Sequence, residues 1–145
     1  MPKLLVFAPC QKVIIDQENN SSIITILQEV ALDMRIAAKL PPEAAAPLVW
    51  EIFALWKRES EAEADTEYEQ SCDLVLPDGQ IAVPSRSIFR LTGPSHRSIT
   101  KILGFPIFRT PGEAQLRLHL RESGVGDPRE VASFPLLLKH LSPDK

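Results

Sequence analysis

The groups in this 145-residue chain whose types and spacing could do chemistry are three histidines, two cysteines and one acidic run. His96 stands in GPSHRS, where Ser95, Arg97 and Ser98 surround it. Hydroxyls, an imidazole and a guanidinium in one turn match the donors that a phosphate or carboxylate wants. The bland alternative is that the serines satisfy the turn while His96 and Arg97 face water. His119 lies in GEAQLRLHLRES between Arg117 and Arg121. On a strand the three share a face, and two cations beside an imidazole disfavour its protonation, as a general base requires. No Ser or Cys adjoins it to be activated, so the expectation is a hydrated strand face. His140 sits near the C-terminus. The histidines form no HxH or HExxH, so no metal and no cofactor are expected.

Cys10 and Cys72 lack CxxC spacing and read as reduced thiols of a cytoplasmic protein. Cys72 alternates in phase with Leu74 and Leu76 and is expected in the core. Cys10 follows Pro9 at an expected strand break, which predicts the more accessible thiol. A hydrolase or transferase built on Cys10 or His96 is therefore one reading.

In RESEAEADTEYEQ, Glu59, Glu61, Glu63, Asp65, Glu67 and Glu69 occupy successive odd positions. Fully extended, neighbouring carboxylates would share a face about 7 Å apart and repel by roughly half a kcal/mol each in water. The run is thus expected to bend into a hairpin tip over residues 59 to 66. A converging tip could bind Ca²⁺, as in a C2-like module, although no DxDxDG loop is present. A solvated run that protects a sheet edge is the simpler reading.

The elements that must position these groups are strands. Period-two alternation runs through residues 4 to 9, 12 to 16, 23 to 34, 68 to 83, 85 to 91, 97 to 104, 113 to 122 and 130 to 139. LVWEIFALWKR, residues 48 to 58, has almost no polar face and reads as a strand covered on both sides. Pro77, Asp78 and Gly79 predict a hairpin turn. AAKLPPEAAAP, residues 37 to 47, reads as a crossing loop with one helical turn begun at Pro42 and Glu43. The 13 prolines further disfavour long helices. The expected fold is an all-β antiparallel sandwich of eight or nine strands, immunoglobulin-like or C2-like, forming one domain over residues 1 to 145.

LLVFAPCQKVIIDQENNSSII, PLVWEIFALWKR, and GEAQLRLHLRE with REVASFPLLLKH together resemble a family of small bacterial proteins of unassigned function. The resemblance spans about residues 3 to 140 and implies a compact β-sandwich with no catalytic residues to transfer.

A net charge of -3 gives no electrostatic reason to expect nucleic acid, and no apolar run is long enough to span a membrane. Residues 1 to 73 are acidic in balance and residues 74 to 145 basic. Either Glu51 and Lys57 lie beside Arg117, His119 and Arg121 on neighbouring strands, or the acidic tip of one copy meets the basic face of another. The leading expectation is a non-catalytic sandwich that binds a protein partner or itself, with Glu59, Glu61, Glu63, Asp65, His96, Arg97, Arg117, His119 and Arg121 as candidate contact residues.

Overall fold

Strand-length alternation of inward apolar and outward polar residues organises the chain. The computed structural model describes residues 1–41 and 43–141. Its strands are β1 (Lys3–Ile15), β2 (Ser21–Ile26), β3 (Glu29–Asp33), β4 (Ala45–Lys57), β5 (Glu67–Val75), β6 (Ile81–Arg90), β7 (Ser95–Pro106), β8 (Gly112–Glu122) and β9 (Arg129–Leu141). One helical turn, α1 (Met34–Ala37), follows β3. Two sheets pack face to face, a 4-stranded one in the order β2-β1-β4-β7 and a 5-stranded one in the order β3-β9-β8-β5-β6. The all-β sandwich expected from periodicity is thus present.

Four expectations need correction. The sandwich is not antiparallel throughout, because β3 pairs with β9 in parallel. The strand at 48 does not neighbour the strand at 113: β4 lies between β1 and β7, while β8 lies in the opposite sheet between β9 and β5. The acidic run is not a hairpin tip, since β4 and β5 belong to different sheets and residues 59 to 66 carry the chain across, with a 3-10 helix over Glu61–Asp65. The loop expected at 37 to 47 is shortened at both ends, by α1 and by a β4 that begins at Ala45. Pro42, where a helical turn was expected to begin, lies outside the described residues.

The inner faces form two adjoining apolar clusters. Trp50, Ile52, Leu74, Phe105, Leu116 and Leu136 anchor one, and Trp56, Tyr68, Phe89, Leu118 and Leu120 the other. Trp50 is held by its indole N–H, which donates to Gly104 O at 3.0 Å. Gly104 has φ +96, and a Cβ there would stand 2.7 Å from Ala45 Cβ, so this bend in β7 requires glycine. The β5–β6 turn is as expected: Gly79 has φ +90, and Asp78 Oδ1 accepts from Gln80 N.

Candidate functional site

In the five-stranded sheet, β8 alternates as its sequence demands, with Ala114, Leu116, Leu118 and Leu120 buried and Arg117, His119 and Arg121 on the outer face. Arg117 Nε donates to Asp73 Oδ1 at 3.0 Å, and Glu130 lies 3.9 Å away. Arg121 and Arg86 both donate to Glu69 Oε2 at 2.9 Å. The cations are matched by carboxylates, as expected, but these come from β5 and β9 rather than from Glu51 on β4. Hydrogen bonding from Arg121 holds the Glu69 carboxyl below the usual range, against a partial opposing effect of burial. Ser71 and Glu130 stand opposite His119 in the ladders. This face is a cross-strand network of paired charges, which suits structure better than catalysis.

GPSHRS is not a turn cradle, because β7 begins at Ser95 and its pleat separates the groups. His96 lies stacked on Phe89, ring centroids 4.5 Å apart and planes 5° from parallel, and burial lowers its pKa. Ser98 is buried beneath Gln70. Arg97 points to the outer face, where its guanidinium donates to Asn19 O, Asn19 Oδ1 and Ser21 Oγ at 3.1, 2.7 and 2.8 Å. Those acceptors lie at the tip of the β1–β2 hairpin, so Arg97 latches that hairpin across the four-stranded sheet.

The acidic run does not converge either. Glu63 is buried, and its Oε1 accepts from Glu59 N at 2.6 Å and Ser60 N at 3.3 Å, while Oε2 lies 2.9 Å from the N-terminal ammonium. Burial alone would raise its pKa, but these partners outweigh it and the net shift is downward. Glu61 stays in solvent opposite Arg58, 3.6 Å away, and Glu67 lies 3.8 Å from Arg90. Glu59 is exposed and Asp65 lies at the end of the 3-10 helix, its backbone carbonyl accepting from Arg90. Among the described residues no three His, Cys, Asp or Glu side chains gather as metal ligands, so the calcium reading loses its ligand set.

Both cysteines are buried. The expected accessibility of Cys10 is overturned: it packs with Val13 and Phe53 on the outer side of the four-stranded sheet, under the β1–β2 hairpin. Burial and the neighbouring Glu51 carboxylate push its thiol pKa up. Burial raises Cys72 further, to about 12. A nucleophile needs the opposite shift, so a thiol enzyme based on Cys10 lacks its activated group.

What sequence reasoning missed is the outer face of β4 and β7. Phe53 and Leu55 on it are covered by the hairpin, as a strand without a polar face requires. Beyond the hairpin the cover ends. Val49 and Leu103 are cross-strand partners and are 52% and 75% exposed. Ile99, opposite Phe53, is exposed as well. The charges here are mainly cationic, with Lys57, Arg97 and Lys101 against Glu51, whose Oε1 accepts from Val13 N at 2.6 Å. The clue in the sequence was the apolar character of residues 48 to 56, interrupted only by Glu51, which left the lower part of the strand without a visible cover.

Fold and surfaces together define a two-sheet β-sandwich with one face closed by ion pairs and one apolar and basic. No family model matches the chain, and no curated protein matches it significantly. Among solved structures it resembles the N-terminal domain of PorA, at 11% sequence identity over 93% of this chain and 97% of that one, with a TM-score of 0.32. At that score the match defines neither a shared fold nor a shared activity. No helix among the described residues is long and apolar enough to cross a membrane.

Proposed function

We propose that this sandwich works by binding a protein partner rather than by catalysis, and that its contact surface is the outer face of β4 and β7. One observation carries the reading: the cross-strand Val49–Leu103 pair lies open to solvent, with Ile99 exposed on the same face, where the cover given by the β1–β2 hairpin has ended. Contiguous exposed apolar side chains beside charged ones mark interaction surfaces. The outer face of the five-stranded sheet, its charges already paired within the chain, offers a partner less. The histidines and cysteines support no competing chemistry, being stacked, paired across strands or buried.

The test is a Val49→Asp, Leu103→Asp double variant, both positions being solvent-exposed and tolerant of charge. Partner recovery from cell extract at low and high salt, with solution mass measured on the same material, should separate it from the parent chain. Loss of a partner, or of a self-associated species, from a variant with an unchanged circular dichroism spectrum is the expected result. Equal recovery and equal mass for both chains overturns the assignment of this face.

A further inference from the structure

We infer that the outer face of the four-stranded sheet holds a site for a small organic carboxylate, between the tip of the β1–β2 hairpin and Arg97. The site stands apart from the Val49–Leu103 contact surface and does not depend on it. Val6, Leu55 and Arg97 are successive cross-strand partners on β1, β4 and β7, so they form one row across that face. Asn19 and Ser21 of the hairpin tip meet the guanidinium at the end of the row. A cavity of about 450 Å³ lies here, a volume ordinary for a small-molecule site. Val6, Ile23 and Leu55 give it an apolar lining, and Ser21, Ser95 and Arg97 a polar one.

The hydrogen bonding of Arg97 selects the ligand. A guanidinium has five N–H donors in a planar fork. The latch takes both on Nη1 and one on Nη2. Nε–H and the second Nη2–H are left with no acceptor among the described residues. Nε and Nη2 are the pair through which Arg117 holds Asp73 and Arg35 holds Asp33. At Arg97 no described residue supplies the matching carboxylate. The acids of the hairpin turn do not serve, since Asp16 Oδ1 accepts from Glu18 N and Asn20 N, and neither Asp16 nor Glu18 forms an ion pair with Arg97. Three neutral acceptors thus fix the guanidinium without cancelling its charge, and its two remaining donors match the two oxygens of a carboxylate. Lys3 and Lys57, cross-strand partners next to Ser95, add to the positive potential of this face. Arg97 is the one charged side chain lining the cavity. A single cation beside apolar side chains favours a carboxylate that carries an apolar body over inorganic phosphate, which brings more charge and no such body.

The test titrates the isotope-labelled full chain with hexanoate, hexanamide, acetate and inorganic phosphate. Backbone amide shifts in the NMR spectrum read affinity and location, and the Arg97 Nε–H signal reports on the free donors directly. Hexanoate should move that signal and the amides of Ile23 and Leu55. It should bind about tenfold more tightly than acetate, which lacks the apolar body, and than hexanamide, which lacks the charge. Ser95→Asp places a carboxylate beside Arg97 on the same face and should weaken hexanoate about tenfold, with amide exchange at Asn19 and Ser21 unchanged because the latch donors are not the ones it takes. Val6→Phe, a change at an exposed position that leaves Arg97 untouched, should weaken hexanoate and spare acetate, and it decides the matter if Ser95→Asp loosens the tip. No shift with hexanoate, equal affinity for hexanamide, phosphate binding as tightly as hexanoate, or hexanoate binding that ignores Val6→Phe overturns the site. Hexanoate shifts confined to the other apolar cavity, beside Phe105 and Phe108, overturn it as well.

Discussion

Trp56 on β4 donates its indole N–H to the side-chain oxygen of Gln70 on β5 at 2.8 Å, so a polar bond joins the two sheets inside the apolar core. The Gln70 amide nitrogen continues the chain to Ser98 Oγ on β7 at 3.1 Å. Both residues of the first bond are buried, and each satisfies a group that water cannot reach.

Gln70→Leu should therefore cost about 2 kcal/mol, because it strands the Trp56 N–H and the Ser98 hydroxyl. Urea unfolding with an unchanged slope measures it. A loss no larger than that of an exposed substitution would show that the amide bridge contributes nothing.

Arg97→Ala releases the hairpin latch. Stability should fall by only about 1 kcal/mol, since Arg97 sits at the surface. Amide exchange near Asn19 and Ser21 should accelerate, while β8 is unaffected. Equal exchange in parent and variant would assign the hairpin's position to Val13 and Ile23 packing alone.

The thiols should be inert in the folded chain. Neither Cys10 nor Cys72 should react with a disulfide reagent at neutral pH until denaturant is added, and rapid native labelling would contradict their burial. Cys72 also makes stability depend on alkaline pH. Its folded pKa of about 12 lies above the ordinary 9.0, so the folded state holds the proton more tightly. That contribution is complete below pH 9 and is lost as pH rises towards 12. Cys72→Ala should flatten the alkaline limb of a Tm-against-pH curve.

Glu69 acts on the acid side. Its pKa is lowered, so its contribution is present above the ordinary value of 4.5 and is lost as pH falls through the depressed one. Glu69→Gln leaves Arg86 and Arg121 without their shared carboxylate, and should reduce Tm at pH 7 more than at pH 3. An equal reduction at both values would show that packing, and not charge, sets the loss.

The faces of β8 were legible because a period-two pattern with one buried side admits no slip: Leu116, Leu118 and Leu120 inside oblige Arg117, His119 and Arg121 to stand outside. Periodicity says nothing about which strand lies next, and so the carboxylates facing those cations were sought on β4 and found on β5 and β9. Cys10 was misplaced for a related reason. Pro9 looks like a strand break, yet its carbonyl accepts from Leu27 N, on the side away from β4, and its missing N–H falls on that same side. The strand continues through it, and the hairpin then folds back over Cys10. The acidic run failed as a site because Glu63, one carboxylate among several in the run, is singled out by the backbone amides of Glu59 and Ser60 and by the N-terminal ammonium, partners that its residue type does not announce.

The parallel seam between β3 and β9 has a consequence for biosynthesis. Lys139 and Glu29, joined across it at 3.0 Å, are 110 positions apart. During translation β3 emerges early and waits, with Val30 and Leu32 unsheltered, until nearly all of the described chain has left the ribosome. The strand that seats it follows every other described strand in chain order, so a nascent chain stalled before β9 presents β3 as an orphaned sticky segment.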